Sequence, residues 1–118
     1  MAKYLSIEDI VAATDTKVVE VEVKEWGGVV RVKELNGKER DEFEAELAKR
    51  SKGNSDFRGV KKLLLKMALV DEQNNPLFDE KSVAALDVKS GNVIGSLFET
   101  ACQLNGIGEK GEEEAEKN

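Results

Sequence analysis

The sequence predicts an α+β fold: a small antiparallel β-hairpin packed against a mainly α-helical body. Two patterns carry the prediction. Between Lys17 and Leu35, Val19, Val21 and Val23 alternate with Glu20, Glu22 and Lys24, and Val30 and Val32 then alternate with Arg31 and Lys33. That period of two puts valines on one face of a strand pair and charges on the other. Beyond Asn36 the apolar residues recur instead at helical spacing, as in Val60, Leu63, Leu64 and Met67. A two-stranded hairpin is marginal alone, so helices must cover its valine face.

At the N-terminus, Ser6 followed by Asp9 is a capping-box signature for a short helix with Ile7, Ile10 and Val11 as its apolar stripe. So short a helix is marginal; it either docks on the body or serves as a mobile arm. The hairpin follows over about residues 17–35, with Trp26-Gly27-Gly28 at its turn, where glycine supplies positive φ. Asn36, with Glu39 three residues on, caps a helix over about 37–50, whose buried line is Phe43 and Leu47 helped by Ala48. Glu46 and Arg50 form a favourably oriented i,i+4 pair, and Ser51–Ser55 is a loop by composition.

Asp56 is the expected cap of the next helix, over about 57–70. It begins at Phe57 and contains Leu63-Leu64-Leu65, which makes it the candidate central core helix. Asp71–Pro76 reads as a polar turn; Leu77 and Phe78 re-enter the core, and Asp79 caps a short helix over about 80–86 holding Val83 and Leu86. A last helix over about 89–104 carries Ile94, Leu97, Phe98, Ala101 and Cys102 on one face, and Asn105-Gly106 stops it. Residues 1–107 form a single α+β domain in this reading. Residues 108–118 hold five glutamates, two lysines and no large apolar residue, which predicts a disordered acidic tail.

The chain has 118 residues and a net charge of −6, which argues against nucleic acid or anionic membrane as the main partner. No apolar run approaches a membrane span, the N-terminal stretch lacks the long apolar segment of a signal peptide and is not read as one, and one cysteine allows no internal disulfide. These features fit a cytoplasmic protein. Histidine is absent, which excludes His-based triads and His-ligated zinc. No cofactor, metal or catalytic residue is expected. From Asp71 the calcium-loop pattern fails, because Pro76 and Ser82 stand where Gly and Glu are required. Cys102, on an apolar face, reads as a small hydrophobe. Arg58, Lys62 and Lys66 repeat every four residues within a locally basic region; they are either a solvated helix face or a site for an acidic partner. Trp26 either folds over its own sheet or stands out as an interface anchor.

Glu25-Trp26-Gly27-Gly28, Val30, Val32, Glu34-Leu35, Gly37, Glu39-Arg40-Asp41 and Phe43-Glu44 resemble the N-terminal half of tail assembly chaperones of long-tailed (siphovirus-like) bacteriophages and prophages. The second half is similar as well, in Ala68–Glu72, Pro76-Leu77-Phe78, Val83–Leu86, Leu97-Phe98, Leu104-Asn105-Gly106 and the acidic end. The motifs are short and carry no catalytic residue, so the resemblance lies in their order and spacing. It implies a non-enzymatic role in virion assembly in the host bacterial cytoplasm. There the chain would coat the tape measure protein, keep it soluble and help recruit tail tube subunits, the last through a longer, frameshifted form. A homo-oligomer is compatible with that role. Amphipathicity, rather than the resemblance, suggests where the partner sits: a groove around Phe43, Leu47 and Met67, with Trp26 as a second contact and Arg58, Lys62 and Lys66 meeting acidic positions. Two alternatives remain at this stage: a structural tail completion or connector protein, and a small adaptor that binds an acidic partner.

Overall fold

The valine alternation folds as anticipated, into β1 (Val18–Val23) and β2 (Gly28–Lys33). Their antiparallel register places Val19 opposite Val32 and Val21 opposite Val30, so the valines share one face of the pair. Burial deepens towards the turn along β1, where Val23 is buried, and towards the strand end along β2, where Val32 is inaccessible. The turn itself is one 3₁₀ turn, Lys24–Trp26, closed by Gly27 at φ 72°. Only glycine adopts that conformation without steric cost. Gly28 is already part of β2, and Trp26 lies half-buried against the core. Of its two expected placements, the folded-back one is the one observed. The structure, a computed structural model, describes residues 2–53 and 56–107. The acidic tail expected over 108–118 and Asn54-Ser55 of the expected loop lie outside them.

The sheet has a third strand that the apolar pattern concealed. The helix expected to continue to residue 70 ends at Ala68, and Leu69–Val70 become β3, pairing Leu69 with Val32 and Val70 with Arg31. Three-in-a-row leucines and their neighbours fit either period. The free edge of β2 decides between them, because pairing there satisfies backbone groups of two almost wholly buried residues. The beginning of that helix also differs. The helix, α3, spans Val60–Ala68 and starts after Gly59, at φ 83°. Asp56 does not cap it: its carboxylate accepts the Arg58 amide at 3.0 Å, closing a local turn. Phe57 is therefore outside the helix and 47% exposed.

The other elements agree with their sequence signals more closely. In α1 (Ile7–Ala12) both halves of the capping box form between Ser6 and Asp9. In α2 (Gly37–Lys52) the Asn36 side chain accepts from the Glu39 amide at 2.9 Å, and the Glu39 carboxylate accepts from the Asn36 amide at 3.0 Å. Ser51 and Lys52, expected in a loop, extend this helix. The short helix after Asp79 is a 3₁₀ segment, Ser82–Val88, with the Asp79 carboxylate accepting the amides of Lys81 and Ser82. Phe78 packs on the core as expected, whereas Leu77 is exposed. The last helix, α4, spans Gly91–Asn105.

The core lies between the sheet and α3 and α4. Leu64, Leu65, Ala68 and Leu69 are inaccessible to solvent, and Leu97 and Ala101 of α4 meet them. The helix with three leucines is thus the central one, packed against α2, α4 and the 3₁₀ segment. Among the described residues one buried polar side chain interrupts this apolar interior. Asn105 is 8% exposed; its Oδ1 accepts the Leu35 amide at 2.7 Å and its Nδ2 donates to the Ala101 carbonyl at 2.9 Å. It ties the exit of the sheet to the end of α4.

Candidate functional site

The stripe on α4 divides into two. Val93, Leu97, Ala101 and Asn105 are buried towards the core, Val93 lying beyond the residues expected on that face. Ile94, Phe98 and Cys102, also four apart, are only half-buried. Residues at i, i+4 and i+8 share one helix face, so α4 presents a second apolar line beside its core line. On α2, Phe43 is buried and Leu47 is half-buried. Between these two lines runs a groove with a cavity volume of about 390 Å³. Phe43 and Val60 form its floor; Leu47, Ala48 and Ser51 of α2 make one wall, and Phe98, Cys102 and Ile107 the other. Phe57 lines the groove as well. It also lines a neighbouring depression with Leu86 and Ile94, where the charged residues Arg58, Lys61, Lys62 and Asp87 share the lining.

The groove is held by polar contacts at its edges. Arg50 donates from Nε to Glu46 Oε1 at 3.0 Å, and from Nη1 to the carbonyls of Asp56 (3.2 Å) and Arg58. These bonds pin the turn that carries Phe57 onto α2. At the other end Gly106, at φ 65°, lets the chain reverse, and the Ile107 amide returns to the Cys102 carbonyl at 2.8 Å. This is a helix-ending arrangement that needs a left-handed residue. Arg40 supports it by donating to the Asn105 carbonyl at 2.6 Å. The same Asn105 that joins the sheet to α4 therefore sets the place of Ile107 on the groove wall.

Chemically the groove is lined mainly by apolar side chains. Burial pushes the Cys102 thiol above its ordinary value, and nearby Glu99 adds to the shift. This disfavours the thiolate that nucleophilic or redox chemistry requires. Lys61 places its ammonium 5.9 Å from the centroid of the Phe98 ring, within cation–π range. Among the described residues no group of three or more His, Cys, Asp or Glu side chains is arranged to hold a metal ion, and no helix is long and apolar enough to cross a membrane.

The residues singled out from the sequence are distributed as follows. Phe43 and Leu47 are in the groove, but Phe43 is 1% exposed and belongs to its floor. Met67 packs against the core without lining the groove, and Trp26 sits at the hairpin turn, also outside it. The basic residues carry acids of their own chain: Arg58 with Asp56 at 2.8 Å, Lys62 with Asp87 at 3.1 Å, and Lys66 with Glu80. Beside Asp56 the Arg58 guanidinium holds the carboxyl below the usual carboxylate range. Such exposed pairs are individually weak, but they cancel much of the positive field that a stripe of bare lysines would project. The groove's other main contributors, Phe57, Phe98 and Ile107, were not proposed as contacts from the sequence. The signal available for Phe98 is its place one turn from Ile94 and Cys102; Phe57 reads from the sequence as the first residue of a helix.

No family model and no curated protein matches the sequence. The structure does have a solved counterpart. The tail assembly chaperone of bacteriophage HK97 is similar to it with a TM-score of 0.58 and 19% identity, over 87% of this chain and 96% of the other. At that identity the likeness is one of fold: the chain adopts an α+β architecture found in a phage tail assembly chaperone.

Proposed function

We propose that the protein acts as a tail assembly chaperone of a long-tailed phage or prophage. In this reading it binds helical segments of the tape measure protein, keeps them soluble in the host cytoplasm and helps recruit tail tube subunits. The supporting observation is an HK97-chaperone-like fold that carries an open apolar groove between α2, α3 and α4. A groove between helices takes the apolar face of an amphipathic helix through anchors at i, i+3, i+4 and i+7. The walls supply Leu47, Phe57 and Phe98 for such anchors, and the net charge of −6 helps keep a loaded complex dispersed.

The test is co-expression with the products of neighbouring genes, using this chain as bait. A long helical protein that becomes soluble only with this chain, and co-purifies with it, is the expected result. Phe57→Glu and Leu47→Glu should abolish capture while leaving the domain folded, because both side chains reach solvent. Phe43 is unsuitable for this purpose, since replacing a floor residue measures stability. Incorporation of the chain into purified particles, without an elongated partner, would instead identify a structural tail component.

A further inference from the structure

The rim of the groove carries two lysines without an acid of their own. Lys61 stands over Phe98, its ammonium 5.9 Å from the ring centroid. On the opposite wall Lys52 lies one turn beyond Ala48 on α2, on the same helix face. Both are exposed, and neither forms an ion pair among the described residues. The acids of that region are engaged otherwise: Asp56 carries Arg58 and Asp87 carries Lys62, while Glu99 shares a depression with Lys61 without pairing with it. In a chain of net charge −6 this leaves a local positive rim around an apolar floor.

The same chain supplies the complement. α4 ends at Asn105, Gly106 turns the backbone, and Ile107 lies in the groove wall. Residues 108–118 start from that wall and hold five glutamates against Lys110 and Lys117. Four of the five fall between Glu112 and Glu116. From Ile107 an extended chain reaches at most about 17 Å by Glu112 and about 30 Å by Glu116. Ser51 and Ile107 line one groove, so that reach covers both rims. We infer that the stretch Glu112–Glu116 folds back across the groove of its own chain and sets its carboxylates on Lys61 and Lys52.

The contact is electrostatic and local. Exposed ion pairs are individually weak, but a short tether holds the acidic stretch at an effective concentration in the millimolar range. The stretch screens Phe57 and Phe98 without filling the floor, because it has no large apolar side chain to place there. A ligand with apolar anchors displaces it, whereas chance apolar contacts meet a layer of carboxylates. That consequence rests on the reading of the groove as a partner site; the contact itself does not.

Zero-length coupling with a water-soluble carbodiimide tests the contact on the full chain, because it joins a lysine to a carboxylate only where the two touch. At low salt, peptide mapping should find Lys61 and Lys52 joined to Glu112–Glu116 in preference to Lys38. Lys38 is exposed at the start of α2, two residues from Arg40, which reaches the Asn105 carbonyl, so it controls for mere reach of the tether. The Lys62–Asp87 pair, at 3.1 Å, is the internal reference for coupling yield. Raising the ionic strength from about 0.01 to about 1 M shortens the screening length from about 30 to about 3 Å and should bring the Lys61 yield down to that of Lys38. In a second measurement, the combined Glu112→Gln, Glu113→Gln and Glu114→Gln variant should shift the amide resonances of Lys61 and Phe98 at low salt but leave that of the buried Leu97 in place. Equal yields at Lys38 and Lys61, or resonances that ignore the three substitutions, would overturn the inference. So would couplings between chains in a mixture of isotopically light and heavy protein, which would put the stretch on a neighbouring copy. Loss of tape measure capture with the couplings intact would count against the proposed function alone.

Discussion

Replacing Asn105 isolates the joint on which both the sheet and the groove depend. Its Oδ1 is the acceptor for the Leu35 amide, and Leu35 itself is buried. In Asn105→Leu a side chain with the same number and branching of heavy atoms fills the site and excludes water, so that amide loses its partner without replacement. An unsatisfied buried donor costs about 1–3 kcal/mol. The Ala101 carbonyl loses only a supplementary bond, because it sits within the hydrogen-bonded helix. The expected loss is therefore about 2 kcal/mol, a drop in Tm of about 9 °C for a domain of this size. Asn105→Ala should cost less if water enters the vacated space and bonds to the Leu35 amide, since a polar pocket of that kind can hold one. Urea unfolding followed through Trp26 is a suitable assay, since that side chain is half-buried on the core and is the chain's sole tryptophan. Stability of Asn105→Leu within about 0.5 kcal/mol of the parent, below the cost of any orphaned buried amide, would refute the reasoning. A leucine variant more stable than the alanine variant would refute the role of water.

Two further outcomes follow from the contacts described. Arg50→Ala removes the donors to the Asp56 and Arg58 carbonyls; the expected loss is about 1–2 kcal/mol, with faster hydrogen exchange at Val60 and Leu63 but not at Leu97, read by exchange-resolved NMR. Asp79 is held below its ordinary value of 3.8 by the amide and then the hydroxyl of Ser82. The unfolded chain binds the proton more tightly, so this stabilisation is complete above about pH 4 and is lost as pH falls through the native value. Melting curves of wild type and Asp79→Asn should therefore differ near neutrality and converge on acidification; a gap that widened below pH 3.8 would contradict the assignment.

Local chemistry was enough for much of the chain. Valines in alternation need only a strand to share a face, and Ser6 with Asp9 or Asn36 with Glu39 need only a separation of three positions to close a capping box. These signals are short-range, so the sequence by itself determined the hairpin, both capped helix starts, the Asn105-Gly106 stop and the α+β class. Tertiary pairing decided the rest. Leu69 and Val70 are apolar on either period, and only the open edge of β2, nearly forty residues away, makes them a strand. Phe57 has helical spacing, yet Gly59, Arg50 and the Asp56 turn take it out of the helix and put it on the groove. Arg58, Lys62 and Lys66 read as a stripe of cations until the fold brings Asp56, Asp87 and Glu80 to them. The half-buried line of Ile94, Phe98 and Cys102 is visible as a spacing, but whether it faces core or solvent depends on how closely α2 approaches α4. A groove is a property of that separation, set by packing between elements distant in sequence, and no local pattern of residues records it.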